Sequence, residues 1–276
     1  MVMGPTHAMS GAAASLAAIS VYTATVGPVH PTVAIIGGIM ASGATLAPDI
    51  DSKQSTVVRS FGILGLLGYH IANSLGVAVQ TATRTRYDNK ITNGHRTFFH
   101  TTIMAILMGA AVAALTAPTN LITVFGQEYS LGQFNAIILL SVFLNLCLAG
   151  LLEKQIKKAR KQYGPYVLMA GSLAGAAIMS QFMPNPEGVT YAYLGIAVAF
   201  GWFIHLLGDA ITKMGVPMAF PVKLHGKRWY DISLPTFMRI SAGGAFEKIF
   251  LLPFLTLVTV LLFVYNILVY LGVIDG

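Results

Sequence analysis

The sequence predicts an all-α polytopic membrane protein: a transmembrane helical bundle of about seven spans plus one interfacial or re-entrant helix, with the N-terminus inside. Three observations carry this expectation. Of the 276 residues, 55% are hydrophobic and only 10% are charged, whereas a soluble domain carries about 25% charged residues; the mean hydropathy is +0.70. Apolar stretches that approach the ~20 residues needed to cross a bilayer recur along the chain. Lys and Arg are confined to four of the loops, the asymmetry that the positive-inside rule reads as orientation.

The apolar segments are 8–25, 33–48, 57–80, 98–117, 133–152, 166–183, 190–208 and 249–273. The second is short, and the third is interrupted by Arg59, His70, Asn73 and Gln80. Gly37, Gly38 and Gly43, and the pair Gly171 and Gly175, suit close helix packing in lipid. With no internal repeat and no long linker, residues 1–276 read as one domain. Lys and Arg occur in loops 49–59, 81–97, 153–163 and 213–248, and are missing from 26–32, 118–132, 184–189 and the C-terminal tail. The first set therefore faces the cytoplasm and the second the outside. Segment 57–80 would have both ends inside, so it is expected to lie along the interface or re-enter. An ordinary eighth span would break the charge rule.

The formal net charge is +7. Its one dense cluster, Lys154, Lys157, Lys158, Arg160 and Lys161, sits between apolar runs. That placement fits a cytoplasmic loop on anionic lipid rather than a nucleic-acid surface. The single cysteine, Cys147, excludes an intramolecular disulfide and a Cys-based zinc site, so any metal must be held by His and carboxylate. No Lys or Arg precedes the first apolar stretch, so a cleaved signal peptide is not expected.

The ionisable residues near helix ends each allow two readings. His7, in "PTHAMSG", is a helix-start histidine or a ligand. Asp49 and Asp51, in "PDID", are a solvated helix end behind Pro48, or two hard oxygen donors on a turn. In "GHRTFFH", His95, Arg96 and His100 form a basic helix start or a site. A shared site there needs His95 on the loop and His100 on the first turn, with the planar fork of Arg96 suited to phosphate or carboxylate. His205 and Asp209 are four apart and so share a helix face. An ionisable group at that depth costs ~2.5–3.5 kcal/mol, so the two either bond to each other or face a metal or cavity. Glu247 alone is ordinary first-turn helix chemistry. The orientation derived from Lys and Arg puts all of these motifs on the cytoplasmic side, which favours one shared site.

The order of motifs resembles the YdjM-like family of bacterial inner-membrane proteins, described as membrane-bound metal-dependent hydrolases. The matching residues are Thr6 and His7, Pro48 to Asp51, Gly94 to His100, His205 to Asp209, Gly215 to Pro221, and Gly243 to Glu247. The chain departs from the family pattern at Thr97, Phe98 and Phe99, where a Gly-Phe-Thr is usual, and its 52–93 insert is long. A looser similarity of ligand pattern to secreted zinc-dependent phospholipases C suggests a substrate class. The resemblance implies a multi-pass protein of the bacterial cytoplasmic (inner) membrane with a metal site at the cytoplasmic leaflet. His7, Asp51, His100, His205 and Asp209 are expected to bind the metal, with Asp49 bridging or outside it. Glu247 or His95 is expected as general acid or base, and Arg96 as the holder of an anionic group. Zinc is favoured over manganese. The expected partners are membrane lipids, the expected substrate is a phosphoester of a lipid or lipid-linked molecule, and no nucleic acid is expected. A metal or proton transporter using the same ligands is the alternative, and a non-catalytic membrane scaffold is another.

Overall fold

Each of the eight apolar segments folds as a helix in the computed structural model, which describes residues 3–124, 126–164, 166–183 and 191–274. In chain order the helices are α1 (Gly4–Thr25), α2 (Pro31–Ala44), α3 (Thr56–Ser60), α4 (Ile63–Thr83), α5 (Thr102–Thr116), α6 (Leu131–Leu151), α7 (Glu153–Tyr163), α8 (Val167–Ser180), α9 (Tyr193–Ala210) and α10 (Leu252–Tyr270). By length and composition five helical segments suffice to cross a membrane: Pro31–Asp51, Ile63–Thr83, Leu131–Leu151, Tyr193–Ala210 and Phe246–Tyr270. Thr102–Thr116 and Val167–Ser180 are apolar but shorter.

Two segments read as loops turn out to be structured. Within 118–132, β1 (Leu121–Val124) pairs antiparallel with β2 (Gln127–Ser130), so the protein is mostly rather than wholly helical. The β-branched Ile122, Thr123 and Val124 favour an extended backbone there. The basic stretch 153–163 is helix α7, which buries no residue and carries a Glu153–Lys157 pair at 2.7 Å. The stretch 184–189 lies outside the described residues, as do the last two residues of the tail.

Helix α2 is the hub, packed on α1, α6, α9 and α10. Small residues let it be so: a Cβ on Gly43 would strike the Phe143 backbone of α6, and one on Gly201 of α9 would strike the Ala41 backbone of α2. Ile36, Met40, Leu140, Leu194 and Val198 fill the apolar core around these contacts. One turn beyond Gly201 comes His205, and one turn beyond Ala41 comes Thr45. The close helix crossing thus sets two site residues side by side.

Helix α4 packs differently. Near its start Gly65 touches the Val58 backbone of α3. At its middle Asn73 donates to the Asp51 carbonyl at 3.2 Å, and Gly76 rests on Gly94 and Thr97. At its end Gln80 donates to the Asn89 carbonyl at 2.7 Å, and the Thr83 carbonyl accepts from Arg228 at 2.8 Å. A helix of this length runs about 30 Å, yet its start, middle and end all rest on segments at one end of the bundle. Ile63, Leu64, Leu67, Ile71 and Leu75 form an exposed apolar row along it.

Candidate metal centre

The donors converge at that same end. Helix α2 stops at Ala44, before Pro48, and the chain turns through a tight helical turn, Ala47–Asp51, that buries both aspartates. A second such turn, Phe98–His100, ends on His100 just before α5. His7 lies in the first turn of α1, and His205 and Asp209 share the buried face at the end of α9. His7, Asp49, Asp51, His100, His205 and Asp209 are all at or below 5% exposure, deep enough that each polar atom must find a partner inside the protein.

Four donor atoms form a closed ring. Asp49 Oδ1 lies 3.6 Å from His100 Nε2 and 3.7 Å from His205 Nε2. Asp209 Oδ2 lies 3.7 Å from each of the same two nitrogens. These distances are too long for hydrogen bonds. They are close to the separation of about 3.3–3.6 Å between donors sharing one tetrahedral metal at bonds of about 2.0–2.2 Å. Asp49 Oδ1, both imidazole Nε2 atoms and both Asp209 oxygens are buried without a hydrogen-bond partner. Leaving so many polar atoms without a hydrogen bond is costly, and a divalent cation among them would offset that cost. The residues present therefore fit a metal.

The surroundings aim these donors. His205 Nδ1 donates to the Thr45 carbonyl at 2.7 Å, since a carbonyl only accepts, and this turns the Nε2 lone pair toward the ring. Asp51 sits behind, not in, the ring. Its Oδ1 lies 2.8 Å from His95 Nδ1, and its Oδ2 accepts from the Arg96 amide at 3.3 Å. Oδ2 also lies 3.3 Å from His100 Nδ1, an ion-pair approach without hydrogen-bond alignment. His7 stacks on His205 with ring centroids 4.3 Å apart, and its Nε2 lies 3.6 Å from Asp209 Oδ1. Two adjoining donor groups result, Asp49, Asp51, His95 and His100 on one side and His7, His205 and Asp209 on the other.

Arg96 turns inward. Its backbone has φ 58°, a left-handed conformation uncommon outside glycine. Its Nη2 is 2.9 Å from Asp209 Oδ2, an ion pair off the hydrogen-bond direction, and its Nη1 donates to the Gly215 carbonyl at 3.0 Å. A carboxylate in the last turn of a helix opposes the helix dipole, and Arg96 offsets that at Asp209. Glu247 stands apart. It is fully buried in the wide helical turn Phe246–Leu251, and its two oxygens accept the amides of Met3 and Gly243, each at 2.6 Å. Among the described residues no ion pair joins it to the ring.

Asp88 was not singled out from the sequence. Its carboxylate accepts from the amides of Thr85, Arg228 and Trp229, tying the loop after α4 to the segment after α9. Burial works against its charge, but the three amides outweigh that and hold its carboxyl below the ordinary range. No spacing rule links two loops some 140 residues apart, so only the fold reveals this contact.

Fold and site together define a helical membrane protein with a buried His/Asp centre at one end of its bundle. A model of the YdjM inner membrane protein family matches residues 1–156. The chain belongs to that family and is a multi-pass inner-membrane protein. The matched stretch carries His7, Asp49, Asp51, His95, Arg96 and His100, while His205 and Asp209 lie beyond it. Comparison with curated proteins and with solved structures returns no match.

Proposed function

We propose that this protein is a membrane-bound metal-dependent hydrolase acting on a phosphoester of a lipid or lipid-linked substrate at the cytoplasmic leaflet. The observation that carries this reading is the ring of four buried donor atoms that make no hydrogen bond, on Asp49, His100, His205 and Asp209. A scaffold that only ties helix ends together would pair these atoms with one another. The ring also sits at one end of the bundle, whereas transporters hold their ions near the midplane.

Asp49, His100, His205 and Asp209 would hold the ion, with His7 beside it. Two imidazoles with two carboxylates favour zinc, and manganese is the next choice. Such an ion, when bound, lowers the pKa of water and polarises a phosphoryl group. The chain's own residues do the rest. Asp51 fixes His95 through Nδ1, which leaves His95 Nε2 as the atom that takes a proton from the attacking water and returns one to the leaving oxygen. Glu247 is unsuited to that task, because both of its oxygens hold backbone amides. Arg96 holds Asp209 in place while its unpartnered Nε is left to meet an anionic group.

The same reading takes α4 as the helix lying along the cytoplasmic interface, because its whole length rests on site-end segments and its apolar row faces outward. That leaves seven spans with the N-terminus inside. The test is elemental analysis of purified protein with assay of phosphate release from lipid phosphates in nanodiscs. Wild type should retain about one or more divalent ions per chain, and His205→Ala with Asp209→Ala should abolish both metal and turnover. Full metal occupancy in that double variant overturns the reading.

A further inference from the structure

Beside the ring lies a cavity of about 410 Å³, walled by the end of α4, the loop that carries His95 and Arg96, and the segment from 214 to 239. That volume is large for a bare phosphate and within the range of small-molecule sites. Its rim is built rather than incidental. Asp88 clamps the amides of Thr85, Arg228 and Trp229, and Thr85 Oγ1 donates to the Gly226 carbonyl at 2.9 Å. Trp229 is stacked on Phe220 at 4.3 Å and donates to Thr83, so its ring belongs to the wall.

Two side chains of the lining carry unmet polar atoms of opposite kinds. Gln80 is 2% exposed; its amide nitrogen is taken by Asn89, and its Oε1 has no partner. Arg96, 7% exposed, has an unpartnered Nε, and Lys227 lines the same space. The dianionic phosphate of a simple monoester brings only acceptors. It would satisfy Arg96 and Lys227 and leave Gln80 Oε1 bare. A group bearing both phosphate and hydroxyls answers both needs.

We propose that this cavity binds a polyhydroxylated phosphate, a sugar or polyol phosphate head. Its phosphate lies toward His95 and Arg96, and a hydroxyl donates to Gln80 Oε1. The proposal rests on the metal-hydrolase reading above and names the polar part of its substrate. The shared chemistry can come from a lipid head or from a free sugar phosphate.

The test uses full-length, zinc-loaded protein in phosphatidylcholine nanodiscs, titrated with glucose 1-phosphate and with methyl phosphate, both as dianions at about pH 8. Glucose 1-phosphate should bind at least about tenfold tighter, the value of one or two buried hydrogen bonds. Gln80→Leu should close that gap to within about twofold while leaving methyl phosphate affinity unchanged. Equal affinities in wild type, or a gap that survives Gln80→Leu, overturns the proposal. If Gln80→Leu does not fold, Lys227→Met carries the test: both affinities should fall, and wild-type values overturn the site. Nanodiscs containing phosphatidylinositol identify the source. Competition with glucose 1-phosphate supports a lipid head, and its absence alongside tight glucose 1-phosphate binding supports a soluble one. Metal content is measured in every sample. Missing metal in wild type strikes the hydrolase reading, whereas intact metal with equal affinities strikes only this proposal.

Discussion

Exchanging Asp51 for Asn removes one negative charge from a side chain with 0% exposure while leaving its shape nearly intact. Asp51 touches His95 at 2.8 Å and His100 at 3.3 Å and takes no corner of the donor ring. It should therefore act on the metal through His100. Removing the carboxylate behind a metal-binding imidazole typically costs 10–100-fold in metal affinity, about 1.4–2.7 kcal/mol. Asp49 is the contrasting case. Its Oδ1 is an unpartnered ring corner, so Asp49→Asn deletes a charged donor, and its loss should exceed about 100-fold. Zinc affinity measured by chelator competition on both variants, with elemental analysis after dialysis, separates the two. Asp51→Asn should stay partly loaded and Asp49→Asn should emerge empty. The reverse order would refute the assignment of ring corner and support.

Four further outcomes follow from the geometry. His95→Ala should keep its metal and lose about 10²–10⁴-fold in turnover, the usual worth of a general acid–base; a loss of metal equal to that of Asp49→Asn would make His95 a ligand instead. Glu247→Ala strands two backbone amides and should lower stability by at least about 2 kcal/mol without changing metal content per folded molecule, as read by thermal unfolding and elemental analysis. Gly201→Ala drives a methyl into the Ala41 backbone and should cost about 1–3 kcal/mol, with metal affinity falling because His205 is displaced from Thr45. Asp88 has a lowered folded pKa, so its contribution is complete above the unfolded value of 3.8 and is lost as pH falls through the folded one. Hydrogen exchange at the Thr85, Arg228 and Trp229 amides, corrected for intrinsic rates, should show constant protection from about pH 8 to pH 5 and lose it only in stronger acid. In Asp88→Asn the protection should be low throughout.

Much of this was legible from the sequence because membrane helices and charged loops obey one-dimensional rules. Apolar length located every long helix, and Lys and Arg counts placed His7, Asp49, His100 and Asp209 at one end before any contact was known. The four-residue spacing of His205 and Asp209 fixed their shared face. What stayed hidden depends on direction rather than position. Asp49 and Asp51 lie on one turn, and nothing in "PDID" says which oxygen faces inward; the structure places Asp49 in the ring and Asp51 behind it. The inward turn of Arg96 needs a left-handed backbone that its residue type does not signal. The two amides on Glu247 come from residues 4 and 244 positions away, and the latter contact exists only in the folded bundle. Helix α7 and the β1–β2 hairpin were missed for a simpler reason. Both are short, and in α7 the helical spacing of Ile156, Ala159 and Tyr163 is set in a stretch so rich in charge that it reads as a loop.

The Gly201–Ala41 crossing has a consequence for biosynthesis. Of the four ring donors, Asp49 and His100 belong to the first half of the chain, while His205 and Asp209 arrive only when α9 is inserted. Until α9 docks on α2 the ring is half built, and only the Asp49, Asp51, His95 and His100 group stands together. A chain that stalls or misinserts before that point lacks the closed ring, so the bundle's own assembly decides when the site is complete.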